Sequence, residues 1–123
     1  MAHSGAVKAF STDDLLACYR RGVFPMAESR DDDGFFIVDP EWRCIFPLDA
    51  FHVPKRLART LRQDRFTFTI DRDFAAVMRG CAAPGPDRED TWINADILSL
   101  YQALHAQGLA HSVEVRLGGE LVG

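Results

Sequence analysis

Residues 90–117, DTWINADILSLYQALHAQGLAHSVEVRL, constrain the fold more than any other part of the chain, because two periodicities meet there across one glycine. Ile97, Leu100, Tyr101 and Leu104 recur at helical spacing. Asn94 ahead of them is a good N-cap, Asp96 puts negative charge in the first turn, and Ile93 with Leu98 matches a hydrophobic staple. Gly108 closes the helix. The period then drops to two: His111, Val113 and Val115 alternate with Ser112, Glu114 and Arg116. Gly118-Gly119 reads as a primed turn between a strand His111–Leu117 and a return strand Glu120–Val122. So short a return strand leaves a sheet edge unpaired, which native proteins usually cover. The expectation is a hairpin cut short and a chain truncated within its sheet.

Upstream, Ser11 caps a helix with Asp13 and Asp14 in its first turn, Leu15, Leu16 and Tyr19 on one face, and Gly22 at its end. Residues 23–54 read as irregular, broken by Pro25, Pro40, Pro47 and Pro54, with short strands expected at Phe35–Val38 and Arg43–Phe46. Pro54 suits the first turn of a helix over Lys55–Gln63. Phe66–Ile70 alternates as a strand. Asp71 is placed to cap a helix through about Cys81, and the stretch PGPDRED at 84–90 is rich in turn residues.

With 123 residues the chain has the size of one ordinary domain, large enough for a core. A hydrophobic fraction of 47% and a charged fraction of 26% fit a globular protein, and no apolar run approaches the roughly 20 residues of a membrane-spanning helix. The opening residues lack the pattern of a signal peptide. Cys18, Cys44 and Cys81 are odd in number and scattered, without a CxxC pair, so neither a zinc site nor a disulfide framework is expected. Free thiols in a reducing compartment place the protein in the cytoplasm. The net charge of −4 argues against a nucleic-acid binder as a whole, yet residues 55–65 carry +4, leaving −8 elsewhere.

Four groups invite a chemical reading. His111 and Glu114 point to opposite faces of a strand, so they cannot form a dyad there, and His111 cannot activate its neighbour Ser112. A structural or supporting role suits both better. The histidines show no i, i+4 ligand pair and no HExxH run, so no metal site is expected. Lys55, Arg59 and Arg62 stack along one helix face, flanked by Arg56, which is either a solvated face or a track for phosphates. Trp92 and Tyr101 are either core aromatics or a wall against which a base or an apolar side chain can rest.

Several ordered blocks go further: GVFPMAE at 22–28, VDPEWRCIFPLDAFHVPK at 38–55, FAAVMRGCA at 74–82, DTWI at 90–93, and HSVEV with ELVG at the end. From about Leu15 to Gly123 the chain resembles the bacterial leucyl/phenylalanyl-tRNA–protein transferases. The resemblance implies an α+β chain: a small N-terminal domain over residues 1–43, then the first part of an acetyltransferase-like (GNAT-like) α/β domain over 44–123. It implies transfer of Leu or Phe, in some members Met, from aminoacyl-tRNA to proteins with N-terminal Arg or Lys, whose new N-terminus is read by a Clp protease adaptor. No cofactor, metal or membrane is implied, and the full-length protein is expected to be a monomer. Trp92 and Tyr101 match positions that bind the 3′ end of aminoacyl-tRNA, and Lys55, Arg59 and Arg62 match a basic helix that grips the acceptor stem. Met26 stands where many members carry Trp; it keeps an apolar pocket surface and loses stacking. The Gly-Glu-Ser-Met-Phe and Asp-x-Gln segments, which supply pocket and proton-transfer groups, are not among these residues. No catalytic residue is therefore assigned, and the expectation for these 123 residues alone is no activity, or tRNA binding only.

Two other readings remain open at this stage. One is a non-catalytic nucleic-acid-binding module built on the 55–65 stripe. The other is an acyl-CoA-dependent acetyltransferase, against which stands the absence of a glycine-rich pyrophosphate loop opening a helix.

Overall fold

The computed structural model describes residues 9–123. In chain order these form α1 (Thr12–Arg20), β1 (Phe24–Met26), β2 (Phe36–Val38), α2 (Lys55–Arg62), β3 (Phe66–Ile70), α3 (Phe74–Ala82), α4 (Ala95–Ala106), β4 (Val113–Leu117) and β5 (Glu120–Leu121). The fold is α+β, with β1 and β2 in one antiparallel pair and β3-β4-β5 in one antiparallel sheet.

Helix ends follow local chemistry. Ser11 and Asp14 cap α1 reciprocally, and the Asn94 side chain accepts from the Ile97 amide at the start of α4. Both helices end in the same glycine-dependent wrap. The amides of Gly22 and Val23 donate to Tyr19 and Cys18 at the end of α1; those of Gly108 and Leu109 donate to His105 and Leu104 at the end of α4. Gly22 and Gly108 hold φ near 76° and 75°, which glycine reaches without strain.

Three expectations are corrected. Residues 43–46 form no strand: they find no pairing neighbour, Trp42 is 89% exposed, and Arg43 folds back onto the Gly22 carbonyl and the Asp39 carboxylate. Asp73, not Asp71, caps α3 by accepting from the Ala76 amide at 3.1 Å, because the Asp71 carboxylate is drawn to another loop. Strand β4 starts at Val113, so His111 and Ser112 lie in the approach to it.

Gly118 and Gly119 both hold positive φ, 58° and 83°, as a primed hairpin turn requires. Past β5 the ladder bulges. The Val122 amide donates to the Val115 carbonyl, and the Val115 amide donates to the Gly123 carbonyl, so two residues oppose one.

The core gathers around Ala27, Ile93 and Ile97, against which Phe35, Met78, Ala82, Leu98 and Tyr101 pack. Helix α1 lies on α4, and α3 on α4. Because Phe66, Phe68 and Ile70 oppose Leu117, Val115 and Val113, one face of the β3-β4-β5 sheet is apolar; Thr67, Thr69, Glu114 and Arg116 share the other.

Candidate functional site

Trp92 stands on a backbone fixed from both sides. Asp90 Oδ1 accepts the Thr91 amide at 2.8 Å and the Arg30 amide at 2.9 Å. Those two amides, Arg30 first, hold the Asp90 carboxyl below its usual value, so it stays ionised and keeps both bonds. Thr91 Oγ1 accepts the Ile93 amide at 3.2 Å, and the Trp92 carbonyl accepts the Ala27 amide at 2.9 Å. Asn94 adds a third tie, donating through Nδ2 to the Asp32 and Gly34 carbonyls at 3.0 and 2.6 Å. The Trp92 indole remains 39% exposed on this support.

Met26 is half-buried and directly precedes Ala27, whose amide is bound to Trp92. Tyr101 packs on the cluster of Ala27, Ile93 and Ile97. Of the three predicted residues, Tyr101 alone packs on this core, while Met26 and Trp92 lie in the two segments that the Ala27–Trp92 backbone bond joins.

The sequence reading missed Tyr19, whose place on the apolar stripe of α1 made it look like core packing. Its ring meets Tyr101 edge to face, with centroids 6.3 Å apart, and the two hydroxyls hydrogen-bond each other. Burial, and then the bond to Tyr19, raise the Tyr101 phenol well above its ordinary value, so it stays protonated at physiological pH. Tyr19, Tyr101, Phe74, Met78, Leu104 and His111 line a cavity of about 490 Å³, the size of a small-ligand site.

His111 forms the rim of that cavity, and its partner is Asp71, not Glu114. His111 Nδ1 lies 2.7 Å from Asp71 Oδ2, and the Ser112 amide donates to Asp71 Oδ1 at 2.9 Å. The hydrogen bond from His111, followed by the Ser112 amide, lowers the Asp71 carboxyl; the same bond raises the His111 imidazole. His105 stacks on Phe74 with centroids 4.3 Å apart, and its Nδ1 meets the Ala110 carbonyl at 2.7 Å. Two histidines and one aspartate therefore knit the α4–β4 loop to the end of β3.

Glu114 points the other way, into the protein, and is fully buried. Its Oε1 accepts from Thr69 Oγ1 at 2.9 Å and from the Arg72 amide at 2.8 Å. Ser112 Oγ lies beside it without meeting full hydrogen-bond geometry. That hydroxyl, with Thr69 and the Arg72 and Asp73 amides, outweighs burial and holds the carboxyl below its usual value. The charge anchors the turn into α3.

Lys55, Arg59 and Arg62 share one face of α2 and, with Arg56, Val53 and Ala58, line an open groove of about 670 Å³. No residue of α2 is buried, and none of Met26, Trp92 and Tyr101 lines this groove. The basic groove and the cavity around Tyr19 and Tyr101 are thus lined by different residues. Among the described residues, no three His, Cys, Asp or Glu side chains converge where they could hold a metal ion, and no helix is long and apolar enough to cross a membrane. All three cysteines are free thiols.

Comparison with known proteins draws the same blocks together. The family described as leucyl/phenylalanyl-tRNA protein transferase matches residues 45–123, and that family's N-terminal domain matches residues 8–41. A leucyl/phenylalanyl-tRNA–protein transferase of Caulobacter vibrioides is 56% identical over 115 residues, which are 94% of this chain and 53% of the relative. Its counterpart in Hyphomonas neptunium is 57% identical over 93% of this chain and 44% of the relative. In Maricaulis maris the identity is 52% over 95% of this chain and 54% of the relative. The chain spans about half the length of the curated relatives it matches. With both matches falling in order along it, the chain belongs to the leucyl/phenylalanyl-tRNA protein transferase family.

Proposed function

We propose that this chain is the aminoacyl-tRNA-recognising part of an enzyme that moves Leu or Phe from tRNA to the N-terminus of proteins beginning with Arg or Lys. The carrying observation is Trp92, an exposed side chain on a backbone fixed by Asp90, Thr91 and Ala27. Such a surface stacks a nucleotide base at little entropic cost, because the platform is already ordered. Lys55, Arg59 and Arg62 then follow the acceptor-stem phosphates. In domain terms, residues 1–43 form the small N-terminal unit and 44–123 the first part of the acetyltransferase-like one. The enzyme works in the cytoplasm as a monomer without a cofactor, and its products pass to protein degradation.

The reaction is aminolysis of an ester. The acceptor amine must be neutral to attack, and the oxyanion needs positioned donors. Neither His111, committed to Asp71, nor Glu114, committed to Thr69 and Arg72, is placed for these tasks. In this reading both groups belong to the half of the relatives that this chain does not match. The test mixes the 123-residue chain with Leu-tRNA and a peptide beginning with Arg. Binding of the charged tRNA without peptide leucylation is expected; efficient leucylation by this chain overturns the division of labour. Trp92→Ala should weaken binding of a charged acceptor-stem minihelix by about tenfold, the worth of one stacked base.

The basic groove also favours a second reading, a nucleic-acid-binding module without catalysis. Competition separates the two. A tRNA-end reader prefers charged over uncharged minihelix, and a module reading phosphates alone binds both equally.

A further inference from the structure

Recognition of tRNA employs the basic stripe of α2 and leaves the acidic surplus of the chain without a role: residues 55–65 carry +4 and the rest −8. Part of that surplus borders a groove of about 500 Å³ between α4 and the segments around Phe10 and Phe35. The lining is mostly apolar: Leu100 and Ala103 come from α4, and Phe10 meets Phe35 edge to face with centroids 5.1 Å apart. Asp96 also lines the groove, and its Oδ2 accepts the Gly34 amide at 3.0 Å, which draws the exposed turn Asp31–Asp33 to the same wall. Asn94 holds that turn through the Asp32 and Gly34 carbonyls. Residues 9–12, 31–35 and 94–103, which build the groove and its border, contain no Lys or Arg. Such a surface repels a phosphate backbone and attracts a peptide with aliphatic and cationic side chains. From Asp96 to Ala103 the groove follows seven residues of α4, about 10 Å at 1.5 Å per residue, the length of about three residues of extended peptide. Asp96 follows Trp92 by four residues, so the two surfaces start at the same end of α4.

We propose that this groove binds a short stretch of the acceptor protein, rich in cationic and apolar side chains, a few residues after the N-terminal residue that receives Leu or Phe. The proposal rests on the reading of the chain as one part of such a transferase. Aliphatic side chains and the stems of Lys or Arg lie on Phe10, Phe35 and Leu100, and the charged ends reach Asp96 and Asp31–Asp33. Charge thereby sorts the two substrates, tRNA phosphates to α2 and the acceptor to α4.

The test measures, by fluorescence anisotropy, the binding of labelled peptides to the 123-residue chain. Each peptide begins with Arg, and the residues after it alternate Lys with Leu, Lys with Ser, or Glu with Leu. The Lys-Leu peptide should bind at least about tenfold more tightly than either of the others. Replacing Asp31, Asp32, Asp33 and Asp96 together with Asn should weaken it by about tenfold, since four exposed ion pairs contribute a factor of about two each. Asn at position 96 still accepts the Gly34 amide, so the melting temperature should stay within about 3 °C. Ser99→Lys, at an exposed position of the lining, should weaken the same peptide. Equal affinity for the Lys-Leu and Glu-Leu peptides, or affinity unchanged in either variant, overturns the proposal. So does a Lys-Ser peptide that binds as tightly as Lys-Leu, which leaves charge alone as the attraction. Sedimentation of the chain as a dimer that Ser99→Lys dissociates overturns it too and makes a second copy the occupant. Peptide binding as expected, in a chain that does not prefer charged over uncharged minihelix, keeps the groove and removes the transferase reading.

Discussion

Asp71 sits at φ 57°, in a region that non-glycine residues seldom occupy, and commits both carboxylate oxygens to the loop entering β4. Its side chain acts like a short clamp between two segments far apart in sequence. The clamp has a pH window. His111 is raised above its ordinary 6.5, so its contribution to stability is fully present below about that pH and is lost as pH rises through the raised value. Asp71 is lowered below its ordinary 3.8, so its contribution is present above that value and is lost as pH falls through the lowered one. His111→Ala should therefore destabilise most between these limits, with its difference from the unmodified chain shrinking as pH rises further. Thermal melts of the two proteins across pH 4 to 9 check this; a difference that grows toward alkaline pH contradicts it. The effect is small, because the His111 side chain is 60% exposed and solvent screens the pair. At the other end of α4, Asp90→Ala frees the amides of Thr91 and Arg30. With Trp42 replaced by Phe to leave a single indole, Trp92 should then be quenched more readily by acrylamide; unchanged quenching means Asp90 does not position it.

Elements were legible in the sequence where their signals are local. Ser11, Asn94, Gly22 and Gly108 mark helix ends through contacts within one turn, and each does so here. The structure departs from the sequence reading where a distant partner decides. The sequence reading put the cap at Asp71; His111 and Ser112 draw that carboxylate away, and Asp73 caps α3 instead. Residues 43–46 have strand-forming side chains and no strand beside them. Strand β1 was hidden by Pro25, which sits on a strand paired only with β2. The meeting of the Met26 and Trp92 segments depends on one bond from the Ala27 amide to the Trp92 carbonyl, which no spacing rule encodes. Helix α2 is the opposite case: its basic face follows from helical spacing alone, and all three predicted cations lie along one groove. Replacing Lys55, Arg59 and Arg62 with Gln should lower tRNA affinity and reduce the slope of log K against log salt by about 2 to 3, close to one per phosphate contact. A slope left unchanged by the triple substitution places the phosphate contacts elsewhere. Since α2 buries no residue, the same substitutions should barely alter stability, which separates lost contact from lost fold.

At the scale of the whole molecule, the two stretches matched by the family share one core. Ala27 and Phe35 come from the first stretch; Ile93, Ile97, Leu98, Met78 and Tyr101 come from the second. Polar ties cross the same seam, from Asn94 to the Asp32 and Gly34 carbonyls and from Arg30 to Asp90 and to the Ala82 carbonyl. Units joined through buried side chains and hydrogen bonds at their centre cannot open independently, because parting them exposes the core of both. The chain should therefore unfold in one transition, with Trp92 fluorescence and far-ultraviolet dichroism changing together. Ile97 is fully buried at the middle of this core. Ile97→Ala should cost about 2 to 5 kcal/mol through lost burial and the cavity left behind, and should move both signals by the same amount. A variant in which the helical signal of the second stretch survives while Trp92 is released shows instead two units that merely touch. The Ala27–Trp92 bond then marks a hinge between them, and Trp92 no longer stands on a fixed platform.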